Sequence, residues 1–259
     1  MNIGLLMTYN EADIIDEMMA ANRHFVDTIF VLDGSDDGTA ERLAKYPEVE
    51  LILKDQDVAG TEKVQDFHRQ ALLEAAHERY GTGHWFTLMH GDEIFYNNPR
   101  KMIERAEKQG AKRVNWAAMQ FFMHLSDEPL DMSLPVQERL RWYSPFWVEI
   151  RQFKSSANTR YAKKHGQVIP EGVGWQPYSK MPIFKHYPYR SPEHRQRRIE
   201  QMKTRGFSGT SAEGTVYRET FMSIYKTARK FEDDFGDFEL DRQGNLLSMM
   251  WRWRKLVKR

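Results

Sequence analysis

Along the first half of the chain, short apolar runs alternate with stretches whose apolar residues recur at helical spacing. The run at 3–7 reads as a buried strand. Asn10-Glu11-Ala12-Asp13 reads as a helix start, and Ile14, Ile15, Met18 and Met19 give the next segment its apolar stripe. A second strand, rich in β-branched residues, is predicted at 28–32. It runs into Asp33-Gly34-Ser35-Asp36-Asp37-Gly38-Thr39, a turn dense in glycine and capping residues, with a helix following to about Tyr46. The pattern then predicts a strand at 49–53, a helix over 60–80 with Val64, Phe67, Ala71, Leu72 and Ala75 on one side, and a strand at 85–89. A helix over 99–109 has proline at its start and Gly110 just past its end, and 112–123 reads as a fifth strand. Strands alternating with helices predict an α/β fold, a mostly parallel sheet with helices on both faces.

Three loops follow strands and are predicted on one edge of that sheet: 8–11, 33–39 and 90–93. In open α/β sheets that edge is where ligands bind. The stretch WFTLMHGDEIF at 85–95 organises the reading, because a strand there breaks into His90-Gly91-Asp92-Glu93. Carboxylate and imidazole are ligands that a divalent metal can use. All three loops carry carboxylates, which suits a metal-bound polyphosphate with a ribose or base and suits a bare anion poorly. Helix capping is the other use for Asp33, Ser35 and Asp37. It does not account for Asp92 and Glu93, which lie well ahead of the helix at Pro99. Ser35-Asp36-Asp37-Gly38-Thr39 superficially resembles the Asp-x-Asp-Gly-Thr of haloacid-dehalogenase-type phosphatases, but Ser35 occupies the nucleophile position and cannot form an aspartyl intermediate. No Walker loop is present, and no Gly-x-Gly-x-x-Gly follows the first strand.

Composition narrows the class further. A chain of 259 residues, 41% hydrophobic and 13% aromatic, suits one large globular α/β domain, or a domain with an appendage. The 38 basic and 37 acidic side chains nearly cancel, so bulk charge argues against a dedicated nucleic-acid binder. Without cysteine, disulfides, thiolate metal sites and a cysteine nucleophile are excluded, and a reducing cytoplasm is the expected setting. The start MNIGLLMTYNEAD lacks a basic region ahead of its apolar run and does not read as a signal peptide. No apolar run is long enough to span a membrane.

Taken in order, Leu6-Met7-Thr8-Tyr9-Asn10-Glu11, Val31-Leu32-Asp33-Gly34-Ser35-Asp36-Asp37-Gly38-Thr39, Arg69-Gln70 and His90-Gly91-Asp92-Glu93 resemble the GT-A-fold glycosyltransferases of family 2 over about the first 125 residues. The resemblance implies a GT-A, Rossmann-like mixed sheet and a nucleotide-diphospho-sugar donor held across the sheet edge. It implies that Thr8, Asn10 and Glu11, with Asp33, meet the base and ribose, and that Arg69 lies near the nucleotide. Asp92 matches the last aspartate of the family's Asp-x-Asp, which binds a divalent metal, Mn²⁺ or Mg²⁺, on the diphosphate. The sequence departs from the family at Leu32, where a first acid is usual, and at His90, which replaces the first acid of Asp-x-Asp. His90 can ligate the metal, hydrogen-bond a phosphate or stand behind the ligands. Sugar transfer releases a nucleoside diphosphate, and a metal offsets the charge that develops on it.

The second half is less regular. From 121 to 180 the aromatics Trp142, Tyr143, Phe146, Trp147, Tyr161, Trp175 and Tyr178 recur among polar residues, as acceptor-groove lining or as ordinary packing. A strand is predicted at 147–153, with Glu149 and Arg151 on the face of Trp147. Family 2 implies inversion, which needs a carboxylate base for the acceptor hydroxyl. Asp127, Asp131, Glu138, Glu149 and Glu171 are the candidates, with Glu149 preferred, and Glu93 is the other carboxylate assigned to catalysis. Several GT-A enzymes place a C-terminal histidine on the metal or diphosphate, and His186 fits by position, with Lys185 and Arg190 able to pair with phosphate.

Composition changes at Pro192. A basic helix is expected over 194–205, a Gly/Ser/Thr loop over 206–215, and an amphipathic helix over 217–231. Residues 246–259 mix aromatic, apolar and basic residues in the manner of a membrane-surface contact, a core-packing helix or a subunit contact. The expected organisation is therefore a nucleotide-sugar-binding and acceptor domain over 1–190 and a helical, basic C-terminal extension over 191–259. The expected function is metal-dependent transfer of a sugar from a nucleotide-sugar donor to a saccharide or lipid-linked acceptor. By analogy it serves cell-surface polysaccharide synthesis, in the cytoplasm or peripherally on the inner face of a membrane, with no nucleic-acid partner. Two rivals are a nucleotidyltransferase or nucleotide-sugar hydrolase on a similar sheet, and a non-catalytic nucleotide-sugar-binding module. A nucleotidyltransferase would need a glycine- and lysine-rich loop after the first strand, which Thr8-Tyr9-Asn10-Glu11 does not supply.

Overall fold

The computed structural model describes residues 1–54, 62–123, 130–164, 167–204, 229–232 and 240–241. The predicted alternation is present. Strand β1 (Asn2–Thr8) leads to α1 (Ile15–Asn22), β2 (Thr28–Asp33) to α2 (Thr39–Leu43), and β3 (Val49–Lys54) to α3 (Glu62–Tyr80). Then come β4 (Trp85–His90), a short β5 (Glu93–Phe95), α4 (Pro99–Lys108) and β6 (Arg113–Phe122). Helix α4 shows its sequence signals in space: Asn98 Oδ1 accepts the backbone N–H groups of Arg100 and Lys101, and Gly110 past the end has φ +70°. The chain continues through α5 (Val136–Arg139), β7 (Trp142–Lys154), β8 (Arg160–Lys164), β9 (Gln167–Glu171), β10 (Lys180–Met181) and β11 (Ile183–His186). Last come α6 (Pro192–Thr204), β12 (Arg229–Lys230) and β13 (Leu240–Asp241).

Two compact units divide the chain: one is Met1–Ala117, Val148–Phe184 and Glu239–Arg242, the other Ala118–Trp147, Lys185–Phe238 and Gln243–Arg259. The strand order of the main sheet is β3-β2-β1-β4-β7-β6-β11-β5, with β12 as a ninth strand paired to β7. The pairs β1–β2, β2–β3 and β1–β4 are parallel, while β7 runs antiparallel to β4. The sheet is thus mixed, with a parallel half made from the regular part of the sequence. Strands β1, β2 and β4 are buried almost throughout, which explains why they read as continuous apolar runs instead of alternating ones. Ile3, Leu5, Phe30, Leu32, Phe86 and Leu88 pack with Leu72, Leu73 and Ala76 of α3 and with Phe153 of β7.

Two features were not visible in the pattern. The strand expected over 147–153 is longer, and it buries Arg151 on one face and Gln152 on the other, which the apolar pattern does not announce. Residues 93–95, for which no strand was expected, form β5 at the end of the strand order, next to β11. Asn22 of α1 braces β5 from both sides: its Nδ2 donates to the Glu93 carbonyl at 2.8 Å and its Oδ1 accepts from the Phe95 N–H at 3.0 Å. Helix α2 stops at Leu43, earlier than the expected Tyr46.

In the second unit, Phe121 stacks on Tyr143 with ring centroids 5.5 Å apart and lies 5.0 Å from the ring of Tyr187. Lys185 Nζ sits 4.2 Å from the centroid of Phe231. The basic helix expected over 194–205 corresponds to α6. The loop at 206–215, the first part of the helix expected over 217–231, and the basic stretch 246–259 lie outside the described residues; where that helix is described, at Arg229–Lys230, the chain is instead strand β12, paired with β7. No helix among the described residues is long and apolar enough to cross a membrane.

Asn22→Ala strips the buried Glu93 carbonyl and Phe95 N–H of their partner, so it is expected to cost about 2–4 kcal/mol of stability. Denaturant unfolding measures this, and a change below about 0.5 kcal/mol, the size typical of a neutral surface substitution, would show that β5 is held some other way.

Candidate functional site

The strand registers bring the three acidic loops to one edge. Thr8 pairs with Asp33 across β1 and β2, and Met7 pairs with His90 across β1 and β4. The first two loops are tied to each other by hydrogen bonds. Asp33 Oδ1 accepts from Thr8 Oγ1 at 2.7 Å and from Ser35 Oγ at 2.6 Å. Asn10 adopts φ +56°, a conformation Asn tolerates better than most residues; its N–H donates to Ser35 Oγ and its Oδ1 accepts from the Asp36 N–H. Asp37 serves as a cap, accepting from Thr39 N and Oγ1 at the start of α2 and from Ala12 N. The third loop closes against the first: a Cβ at Gly91 would lie 2.8 Å from Glu11 Cγ and 3.2 Å from Thr8 Cγ2. Glycine is needed there for space, so that Glu11 and the His90–Glu93 turn can meet.

Behind that turn lies a buried chain of charges. Antiparallel pairing places Thr87 beside Gln152 and carries the next residues of β7, Arg151 and Glu149, toward the end of β4. Arg151, 0% exposed, donates from Nη2 to Glu93 Oε1 at 2.6 Å and pairs with Glu149 Oε2 at 3.0 Å. Arg69 of α3 donates from Nη1 to Glu149 Oε1 at 2.7 Å. The guanidinium carbon of Arg151 stands 4.5 Å from the centre of the Phe184 ring, and that of Arg69 6.0 Å from the Tyr161 ring. His90 completes the chain, with Nδ1 3.1 Å from Glu93 Oε1 and 3.4 Å from Arg151 Nη1. Its Nε2 is buried and makes no hydrogen bond. Burial alone raises the Glu149 carboxyl, but Arg151, Arg69 and His90 outweigh it and hold it at about 2, against an ordinary 4.5.

Among the described residues, His90, Asp92 and Glu93 form the one group able to hold a metal, with ligand atoms within 4.8 Å of one another. The set fits a divalent cation. It offers an imidazole nitrogen with no hydrogen-bond partner and the buried carboxylate of Asp92, a mixed nitrogen and oxygen donor set of the kind Mn²⁺ accepts. Glu93 Oε1 is already shared between Arg151 and His90.

The structure thus brings Thr8, Asn10, Glu11, Asp33, His90, Asp92 and Glu93 to one sheet edge, with Arg69 and Glu149 in the charge chain behind it. His186, Lys185 and Arg190 belong to the second unit. There His186 lies edge-on to Trp147, and the fully buried Arg190 donates to the Tyr187 carbonyl and reaches His194 Nε2 at 2.8 Å. Of the other carboxylates, Asp131 is exposed and bound to Ser133, Glu138 is exposed, Glu171 pairs with Arg160, and Asp127 lies outside the described residues. Among the candidate groove aromatics, Tyr143, Tyr161 and Tyr178 are buried, while Trp175 is 93% exposed. Asn22 and Arg151 were missed as site-building residues; alternation along β7 put Arg151 on the face of Glu149, but nothing local showed that this face was closed.

A mixed α/β sheet with acidic loops at the C-terminal ends of its parallel strands is the GT-A, Rossmann-like arrangement. The chain belongs to glycosyl transferase family 2, whose family model matches residues 5–169, and it carries that family's glycosyltransferase domain. No curated protein matches the chain. Among solved structures, a protein from Bacillus anthracis assigned as a glucose-1-phosphate thymidylyltransferase, crystallised with a sucrose, is 12% identical with a TM-score of 0.29. The match covers 48% of this chain and 56% of that one, so the chain spans little more than half of that relative's length.

Two outcomes test this geometry. Gly91→Ala should displace the Glu11 side chain or the turn and lower Mn²⁺ affinity at least tenfold, measured by the electron paramagnetic resonance of free Mn²⁺; unchanged affinity would mean the loops need not meet. Glu149→Gln leaves two buried guanidinium groups short of charge and should cost about 3–5 kcal/mol. Because the folded Glu149 carboxyl is depressed, its stabilisation is complete above 4.5 and is lost as pH falls from there through about 2. The stability gap between wild type and Glu149→Gln should therefore be constant near neutrality and narrow below 4.5; a gap independent of pH would contradict the ion-pair assignment.

Proposed function

We propose that the protein transfers a sugar from a nucleotide-diphospho-sugar to a hydroxyl of a saccharide or lipid-linked acceptor, with inversion and with a bound Mn²⁺ or Mg²⁺. The observation that carries this reading is the His90–Asp92–Glu93 group at the sheet edge where β1, β2 and β4 end, in a chain of family 2. In it, Asp92 and His90 hold the metal, which when bound offsets the charge that develops on the departing diphosphate. Glu11 and Asn10 face the nucleoside, in loops kept in place by the mutual hydrogen bonds of Thr8, Asp33 and Ser35.

Glu149 takes a different role in this proposal from the base expected of it. A base for an acceptor hydroxyl works best with a proton affinity near the operating pH. A carboxyl held at about 2 between two guanidinium groups stays ionised and engaged, so Glu149 anchors Arg69 and Arg151. The transfer machinery is assigned to 1–190, with 191–259 as a basic extension that begins with α6 and also contains the short strands β12 and β13. The proposed setting is the cytoplasmic face of a membrane, with 246–259 as the peripheral contact and a cell-surface glycan or its lipid-linked precursor as acceptor.

A thermal-shift panel of uridine, guanosine and thymidine diphospho-sugars, with and without Mn²⁺, tests the reading. One donor should stabilise the protein by about 2.7 kcal/mol at a hundredfold excess over its dissociation constant, in a Mn²⁺-dependent way. Asp92→Ala should remain folded and lose both the Mn²⁺-dependent part of that shift and transfer. If no nucleotide sugar stabilises the protein, the proposal fails.

A further inference from the structure

We propose that Glu93 is a positioning residue for His90: locked by Arg151, its carboxylate accepts the His90 Nδ1 proton and so leaves the Nε2 lone pair as the metal's nitrogen ligand. The inference rests on the metal-dependent reading above and goes further, because it assigns the tautomer of His90 and divides the three-residue group into two ligands and a support.

His90 Nδ1 has two neighbours that demand opposite things of it. A guanidinium only donates, so a bond from Arg151 Nη1 would require a bare Nδ1 and put the proton on Nε2. An ionised carboxylate only accepts, so a bond to Glu93 Oε1 requires Nδ1–H and leaves Nε2 bare. Geometry favours the carboxylate. Glu93 Oε1 lies at 3.1 Å, whereas Arg151 Nη1 lies at 3.4 Å, near the outer limit for a hydrogen bond.

The surroundings also hold Glu93 still. Its backbone carbonyl is held by Asn22, and Arg151 is itself held by the Phe184 ring and by Glu149, which Arg69 anchors in turn. A carboxylate that fixes the far nitrogen of a ligating imidazole orients the ring and makes it more basic toward the metal. The buried Nε2 without a hydrogen-bond partner is the atom such an arrangement leaves for the ion. The shared Oε1 of Glu93, in turn, is spent on its two partners. A donor pair of imidazole and carboxylate also ranks Mn²⁺ above Mg²⁺, since Mg²⁺ takes oxygen ligands by preference.

The test uses the full chain, histidine-labelled with ¹⁵N and free of metal, at mildly alkaline pH. The His90 signals are assigned from those lost in His90→Gln. Wild type should show His90 protonated on Nδ1. Glu93→Gln, which keeps size and removes charge, should lower that population and raise the Mn²⁺ dissociation constant 10–100-fold. Glu93→Asp, which keeps the charge, should recover part of both. His90 protonated on Nε2 in a wild type that binds Mn²⁺ overturns the proposal alone, as does a Glu93→Gln protein with unchanged tautomer and Mn²⁺ affinity. A wild type that binds no Mn²⁺ overturns it together with the metal dependence on which it rests.

Discussion

The alternating run of charge Arg69–Glu149–Arg151–Glu93, ending on His90, is what the rest of the candidate site depends on. Ionised groups buried in this way cost several kcal/mol each to desolvate, and they are tolerated only when geometry supplies near-complete compensation. Here each anion meets a guanidinium at 2.6–3.0 Å, and Arg151 also lies against the Phe184 ring. Removing any one member leaves its neighbour buried and unbalanced, so the chain acts as one unit. It spans α3, β4, β5 and β7 and fixes the turn after β4 by ionised side chains, where the turns after β1 and β2 rely on hydroxyl and amide hydrogen bonds around Asp33.

That rigidity bears on chemistry through the contrast between the loops. The turns after β1 and β2 are held by hydroxyl and amide contacts around Asp33, so their polar groups are largely turned on one another. The turn after β4 is held from behind by charge, and this leaves Asp92 and the Nε2 of His90 as its contribution to the sheet edge. Gly91 lets the first and third loops approach to within a distance that no other residue would allow. In the proposed metal site, support and ligand duty fall on different residues of a four-residue stretch.

The parallel half of the sheet was readable because its strands are buried on both faces. Continuous apolar runs at 3–7, 28–32 and 85–89 are short enough for buried strands and too short for buried helices, and the intervening helices carry their own stripes and caps. The loops at the strand ends were legible for the same reason, since strand direction alone sends them to one edge. β5 escaped notice because three residues carry too little periodicity to register, and its partners are supplied from α1 and the vicinity of Ile183. The first five residues of β7, 142–146, escaped because Pro145 among them argues against a strand.

By itself, the sequence determined the α/β alternation, the family, the three acidic loops and the importance of His90-Gly91-Asp92-Glu93. Those are local properties, written in the spacing of residues along one strand and its turn. Only the tertiary structure decided what each acid is packed against. Glu149 looks like a catalytic carboxylate until Arg69, 80 residues away in sequence, and Arg151 are found on either side of it. Glu93 looks equivalent to Asp92 until Arg151, 58 residues on, takes its oxygen. The proton affinity and the free valence of a carboxylate are set by the charges packed around it, and which charges those are is known only once distant strands have paired.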